Sequence, residues 1–128
     1  MARKFAYKGK PIEELKQMTL EEFTRIIPAH ARRTLKRMGL QVRKFLQKFR
    51  HHKASNKPMK THFRQMVIIP EMVGFHVLVH NGNSYKDLLI SQEMLGKKLG
   101  ELSITTKLVK HSGPGIGATR GSKTVELK

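Results

Sequence analysis

The chain has 128 residues, and its 26 Lys and Arg residues against 9 Asp and Glu residues give a formal net charge of +17. Cysteine is absent, which excludes disulfides, Cys-based zinc sites and thiol nucleophiles. There is no apolar run of about 18 residues that could span a membrane. The first ten residues lack an apolar stretch, so we expect no secretory signal. So large a charge opposes compaction and favours an acidic partner.

The positive charge is concentrated in the N-terminal half of the chain. Residues 1–62 hold 17 Lys and Arg against 4 acids, whereas residues 63–110 hold 6 against 4. No acid interrupts the 13 basic residues between Glu22 and Glu71. A charge run is usually a solvated surface, but one without interleaved acids favours nucleic acid as the partner. We predict a basic, mainly helical extension (1–62), an α+β core domain (63–110) and a Gly-rich extended tail (111–128).

Two short helices are predicted near the N-terminus. Pro11 is a favourable first helical residue and precedes a helix over Ile12–Met18. The segment Thr19-Leu20-Glu21-Glu22 has the pattern of a capping box, which satisfies the free N–H groups of a helix start. A second helix is therefore expected over Leu20–Ile27, ending at Pro28.

Two basic helices follow. The third helix is predicted over Ala29–Met38, with Gly39 as its C-terminal stop. The fourth is predicted from Leu40 to about His52. Each carries an apolar stripe beside rows of Lys and Arg, which indicates one buried and one charged face. The segment Lys53–His62 is predicted to be a loop.

The hydrophobic pattern then becomes that of strands. Met66–Ile69 and Phe75–His80 are rich in apolar and β-branched residues. Asn81-Gly82 is a strong hairpin-turn signal, and Tyr85–Ile90 is expected to pair back as the second hairpin strand. A third strand is predicted over Thr105–Lys110.

One more helix and the tail complete the predicted elements. Ser91 is a suitable N-cap for a helix over Gln92–Lys98, and Gly100 is expected to stop it. From His111 onward five Gly and Pro residues occur within eleven positions, so the tail is expected to be extended.

Neither a metal site nor catalytic chemistry is indicated. His76 and His80 lie on one face of a strand but roughly 13 Å apart, too far to share an ion. The Gly-rich tail has neither the spacing of a phosphate-binding loop nor a helix after it. The acids form no evident catalytic pair. We therefore expect a protein that is not an enzyme and that needs no cofactor.

The chain resembles a known family over nearly its whole length. The motifs that carry this resemblance are Tyr7-Lys8-Gly9, Ala31-Arg32-Arg33, Thr61-His62-Phe63-Arg64, Ile68-Ile69-Pro70-Glu71-Met72-Val73-Gly74, Val79-His80-Asn81-Gly82, Leu95-Gly96-Lys97-Lys98-Leu99-Gly100-Glu101, Val109-Lys110-His111 and Pro114-Gly115-Ile116-Gly117-Ala118-Thr119. In these motifs the chain is similar to the universal ribosomal protein S19 family of the small subunit, in its archaeal and eukaryotic branch.

The resemblance implies an α+β fold with a small three-stranded mixed sheet, and a structural role in the cytoplasmic small ribosomal subunit. It implies binding to rRNA of the subunit head (3′ major domain), with a neighbouring head protein of the S13 family as partner. The C-terminal tail would extend toward the decoding region and tRNA. The rRNA-binding residues implied by matched position are Arg32, Arg33, Lys36, Arg37, Lys57, Lys60, Thr61, His62, Arg64, Asn81, Gly82, Lys86, Lys97, Lys98, Lys110, His111, Thr119 and Arg120.

Two other functions compete with this interpretation. The two basic helices could form a helix-turn-helix of a DNA-binding regulator, but Gln41 and Gln47 are the only candidates for reading bases on the second helix. An enzyme acting on nucleic acid would need a hidden carboxylate pair or metal site. Loss of activity on Glu71→Gln or Glu101→Gln would reveal it.

Overall fold

Five α-helices and five strands form the described part of the chain, residues 5–110 of a computed structural model. The helices are α1 (Ile12–Gln17), α2 (Leu20–Ile26), α3 (Ala29–Arg37), α4 (Gly39–Ala54) and α5 (Leu99–Leu102). The strands are β1 (Ala6–Tyr7), β2 (Lys10–Pro11), β3 (Met59–Thr61), β4 (His76–His80) and β5 (Tyr85–Leu89). The α+β class predicted from the sequence is confirmed.

The first two helices begin and end close to the predicted positions. The capping box of α2 is complete: the Glu22 amide donates to Thr19 Oγ1 at 3.4 Å, and the Thr19 amide donates to Glu22 Oε2 at 2.9 Å. Hydrogen bonding of the Glu22 carboxylate, first with the Thr19 backbone amide and then with the Thr19 side chain, lowers the pKa of the Glu22 carboxyl. α1 and α2 bury Leu15 and Phe23 respectively.

The junction between α3 and α4 is tighter than predicted. Gly39 does not stop α3 but is the first residue of α4. The turn is made at Met38, whose N–H bonds to Thr34 and whose carbonyl accepts from Val42. One residue therefore ends one helix and starts the next. α4 also runs two residues beyond the predicted end at His52.

The three-stranded mixed sheet is present, but its third strand is a different one. The strand order is β3-β4-β5, with β3 parallel and β5 antiparallel to β4. The predicted loop Lys53–His62 contains β3, a strand of three residues, which is too short to show a clear alternation. Thr105–Lys110 was wrongly predicted as a strand: these residues are exposed and have no regular structure.

The predicted strand Met66–Ile69 is buried but does not join the sheet. Its backbone bonds instead to the segment before α5: the Ile68 amide donates to the Lys97 carbonyl at 2.8 Å, and Val67 makes an isolated bridge with Lys98. The apolar run therefore reports burial rather than strand pairing. All four side chains belong to the core.

The helix predicted over Gln92–Lys98 is also wrong. Residues Gln92–Met94 form one 3-10 turn, and the chain then passes through Gly96 at a φ of +78°, which is incompatible with a continuing helix. α5 begins only at Leu99, and Gly100 lies inside α5 rather than ending the preceding helix.

A single hydrophobic cluster joins the helices to the sheet. The inward faces of α3 and α4 meet the inward face of the sheet and the buried segment before Pro70. This cluster includes Ala31, Leu35, Val42, Phe45, Phe49, Met59, Met66, Ile68, Val77, Val79, Leu88 and Leu99. Because these apolar faces turn inward, the charged faces of α3 and α4 are left at the surface.

Candidate nucleic-acid interface

Exposed cations cover the outer faces of α3 and α4. The apolar stripes of both helices are buried, so the basic rows beside them point to solvent. Like charges at i, i+4 repel one another on a free helix, and a phosphate chain lying between them would remove this cost. The exposed basic residues of the two helices include Arg33, Lys36, Arg37, Arg43, Lys44 and Lys48.

A groove runs between α4 and the edge strand β3. Phe45, Met59 and Phe63 contribute apolar surface to it. Its polar lining includes Gln41, Lys44, Lys48, Lys60, Thr61 and His62. Lysines thus stand on both sides of a channel with an apolar lining, which suits a nucleic-acid strand whose phosphates need cations and whose bases need apolar contact.

The two faces of the sheet separate residues that the sequence grouped together as rRNA-binding. Thr61 is buried, and its Oγ1 accepts from the Phe63 amide at 3.0 Å. Lys60 and His62, its neighbours in the chain, are exposed because successive side chains of a strand alternate between faces. The groove mouth therefore presents Lys60 and His62, while Thr61 contributes to the fold.

Three rings meet at the hairpin end of the outer sheet face. The rings of His62 and His80 lie 4.4 Å apart at 32°, and Tyr85 stands nearly perpendicular to both, at 5.5 Å and 4.9 Å. The Tyr85 hydroxyl is 2.8 Å from His62 Nε2, and Lys60 Nζ lies 5.4 Å from the centre of the Tyr85 ring. We call His62, His80 and Tyr85 the ring cluster.

Two of the predicted rRNA-binding arginines bond to the chain's own backbone. Arg32 donates to the carbonyls of Thr24, Arg25 and Ile27, which closes the end of α2. Arg64 donates to the carbonyl of His80 at the end of β4 and to the carbonyls of Gly100 and Ser103 in and after α5. Both side chains are half-buried. Each therefore has a structural role, and a direct contact with rRNA stays a prediction.

The hairpin loop lies where the Asn81-Gly82 signal predicts it. Four residues separate β4 from β5, and Asn81 Oδ1 accepts from the amides of Asn83 and Ser84. Gly82 has a φ of +103°, a conformation that glycine adopts readily. The predicted binding residues Asn81 and Gly82 thus shape this loop, and Gly82 is exposed at its tip.

The remaining predicted lysines are distributed over separate surfaces. Lys57, Lys97 and Lys110 are exposed, whereas Lys98 is half-buried beside Val67. Lys86, also exposed, donates to the Leu102 carbonyl at 3.0 Å. The predicted tail residues His111, Thr119 and Arg120 lie outside the described residues.

The acid that ends the basic run is engaged by α4. Arg50 Nη2 donates to Glu71 Oε1 at 3.0 Å, and Lys53 Nζ donates to the Glu71 carbonyl at 3.1 Å. The hydrogen bond between the Arg50 guanidinium and the Glu71 carboxylate raises the pKa of Arg50. The pair is exposed, so it adds little stability. It does hold the end of α4 against the turn that follows Ile69.

Two further findings bear on the function. Within residues 5–110, no group of three or more His, Asp or Glu side chains could hold a metal ion. None of the helices described is long and apolar enough to cross a membrane.

Four side chains of this surface were absent from the predicted site. Lys44 and Lys48 belong to the basic rows of the fourth helix, but only the position of β3 shows that they line a groove. His80 and Tyr85 are cross-strand partners in the hairpin, a pairing that Asn81-Gly82 already indicates. The sequence therefore indicates that His80 and Tyr85 are neighbours. Their proximity to His62 follows only from the parallel pairing of β3 with β4.

Comparison with known proteins places this surface in a family context. The sequence profile of the family described as Ribosomal protein S19 matches residues 32–111. The "Small ribosomal subunit protein uS19" of Thermoplasma volcanium is 48% identical over 128 residues, covering 99% of this chain and 83% of that protein. The protein of the same name from Thermoplasma acidophilum is 47% identical, with the same coverage. The match to the family profile covers α3 from Arg32 onward, α4, the groove and the three-stranded sheet.

Proposed function

Because the chain belongs to the ribosomal protein S19 family and is of the archaeal type, we propose that it binds rRNA as a structural constituent of the cytoplasmic small ribosomal subunit. The protein is not an enzyme, in keeping with its family. The observation that carries the rRNA-binding surface is the acid-free array of exposed Lys and Arg on α3 and α4, continued into the groove beside β3.

Binding is proposed to rest on contacts with phosphates. Arg33, Lys36 and Arg37 on α3 would contact one stretch of the rRNA backbone, and Lys44 and Lys48 on α4 would contact the strand in the groove. Each phosphate contact releases a condensed counterion, so the affinity falls as salt rises. Arg32 and Arg64 would also support this surface indirectly, because their bonds fix the end of α2 and the hairpin beside it.

The family resemblance supports a more detailed proposal about the partners of the chain and about the role of each of its three regions. We place the chain in the subunit head, on the 3′ major domain of the rRNA, beside a protein of the S13 family. Residues 1–62 would supply most of the rRNA surface, residues 63–110 the sheet that supports it, and residues 111–128 the reach toward tRNA. The continuous core across the first two regions would keep the α3–α4 surface fixed relative to the hairpin.

A competition experiment tests this function. Filter binding of the full chain to a head-domain rRNA fragment should persist in the presence of a molar excess of unrelated duplex DNA. Lys36→Gln and Arg37→Gln should each weaken binding, whereas Lys16→Gln on the acidic helix α1 removes the same charge and should not. Tight, sequence-specific binding to duplex DNA that outcompetes the rRNA would instead support a DNA-binding regulator.

A further inference from the structure

The outer face of the sheet carries three aromatic or imidazole side chains in one row. Thr61, the last residue of β3, pairs with Val79, and His80 pairs with Tyr85, so His62, which directly follows β3, falls beside His80 and Tyr85. Their ring centres are 4.4 to 5.5 Å apart. Three strands thus bring three rings to one end of one face.

This row lies at the surface rather than in the core. Tyr85 is 39% exposed, His62 is exposed and His80 is half-buried. The core is formed on the opposite sheet face, by Val77, Val79 and Leu88 among others. The rings therefore occupy positions on the outer sheet face that are open to solvent. An ordinary polar side chain would be sufficient at such positions.

Hydrogen bonds fix the rings in their relative positions. The Gly82 amide donates to His80 Nδ1 at 3.1 Å, which holds the His80 ring against the hairpin loop. The Tyr85 hydroxyl meets His62 Nε2 at 2.8 Å. A pre-ordered ring row loses little conformational freedom when a further flat group stacks on it.

Cations flank the row on the side of the groove. Lys60 Nζ is 5.4 Å from the centre of the Tyr85 ring, and His62 also lines the groove with Lys44 and Lys48. A flat aromatic group bound here would therefore have positive charge on its groove side. An unpaired nucleobase with its phosphates has this combination of a π-face and negative charge, whereas the base faces inside a duplex are covered by their neighbours.

We propose that the ring cluster is a stacking site for an unpaired RNA base, which lies against His62 at the mouth of the groove while Lys44, Lys48 and Lys60 contact the adjoining phosphates. The inference rests on the proposed rRNA-binding function and names the kind of RNA that this part of the surface takes. It distinguishes the sheet face, which would bind a single-stranded nucleotide, from the α3–α4 surface, which would bind backbone.

A fluorescent RNA tests the proposal on the full chain. The probe is a single-stranded hexaribonucleotide with one central 2-aminopurine, whose emission is quenched on stacking. Wild-type protein should quench it, and His62→Ala and Tyr85→Leu should each weaken binding about fivefold or more, the range expected when one stacking partner is lost. Leucine at residue 85 retains apolar bulk, and a thermal melt of each variant confirms that it is folded.

The control is His76→Ala, which removes an exposed imidazole from the far end of the same sheet face. It should leave the affinity within about twofold of wild type. Lys60→Gln should lower the salt dependence of binding by about one phosphate contact while leaving the quenching at saturation unchanged. The same sequence annealed into a duplex should not have its binding weakened by Tyr85→Leu.

Three outcomes would overturn the proposal: no quenching by wild type, equal affinity of wild type and both cluster variants, or an equal loss in His76→Ala. These outcomes are separable from failure of the proposed function. If only the stacking site is wrong, salt-dependent binding to the head-domain rRNA fragment persists in wild type and in the cluster variants. If the proposed function is wrong, wild type itself does not bind that fragment.

Discussion

Arg64 bonds to two other segments of the fold, the end of β4 and the α5 region, and its removal should destabilise the protein strongly. Its guanidinium donates to the His80 carbonyl at the end of β4, to the Gly100 carbonyl at 2.9 Å and to the Ser103 carbonyl at 2.6 Å. These bonds connect the hairpin to both ends of the α5 region. Gly100 also lies against the Arg64 backbone, where an added Cβ would approach to 3.1 Å.

The expected magnitude follows from the number and burial of these bonds. A hydrogen bond from a charged donor contributes about 1.5–3 kcal/mol in mutational studies. Arg64 is only half-buried and water can replace part of its bonding, so we take about 1 kcal/mol per bond and expect Arg64→Ala to cost about 3 kcal/mol. For a chain of this size about 4 °C of melting temperature corresponds to 1 kcal/mol, which gives a decrease of about 12 °C.

Thermal and urea unfolding followed by circular dichroism measure this loss. Arg64→Lys should lie between wild type and Arg64→Ala, since one ammonium group cannot reach all three carbonyls in the guanidinium geometry. Arg33→Ala, which removes an exposed arginine from α3, should change stability by less than about 0.5 kcal/mol. A melting temperature of Arg64→Ala within about 2 °C of wild type would refute the structural role of this side chain.

Three further predictions concern the caps and turns. Thr19→Ala should cost about 1 kcal/mol in urea unfolding, because it removes the side-chain cap of α2. The lowered pKa of Glu22 means that its contribution is present above its ordinary value of 4.5 and is lost as the pH falls through the lower folded value, so the difference in melting temperature between wild type and Glu22→Gln should close on acidification below that value. Gly96→Ala should lower the melting temperature, because φ is +78° and the new Cβ would lie 2.5 Å from the Tyr7 hydroxyl. Adding Tyr7→Phe should restore part of this loss, and no recovery would contradict the close approach.

The helical half of the fold was predictable because its signals are local. Pro11, the capping box of α2 and the apolar stripes of α3 and α4 each act within a few residues. The prediction that Gly39 stops α3 was wrong. The break between α3 and α4 lies one residue earlier, at Met38, and Gly39 begins α4. Local sequence signals therefore predict these helices, whereas the junction between α3 and α4 depends on backbone geometry.

The sheet was harder to predict because its pairing is non-local. β3 pairs in parallel with β4 across an intervening buried segment, and three residues are too few to show a period. The apolar run Met66–Ile69 has the composition of a strand, but it bonds to the segment before α5. Apolar composition indicates burial in both places and does not distinguish their partners.

The sequence predicts that the site is a basic surface more readily than it predicts which side chains form that surface. The acid-free basic run indicated the charged faces of α3 and α4, and the exposed Lys36 and Arg37 lie there. It could not show that Arg32 and Arg64 bond to backbone carbonyls or that Thr61 turns inward. Those assignments depend on which chain segments lie close together in the fold. The distribution of charge along the sequence does not reveal this.

The central claim is that the groove beside α4 holds rRNA through its phosphates, and the salt dependence of affinity tests it most directly. For the full chain and a head-domain rRNA fragment, the logarithm of the binding constant should fall linearly with the logarithm of salt concentration, with a slope corresponding to about 6–10 phosphate contacts. Lys48→Gln should reduce the magnitude of that slope by about one, whereas Lys16→Gln, which removes the same charge from α1, should leave it unchanged. A flat salt response, or equal slopes for the two variants, would contradict a phosphate-binding groove at this position.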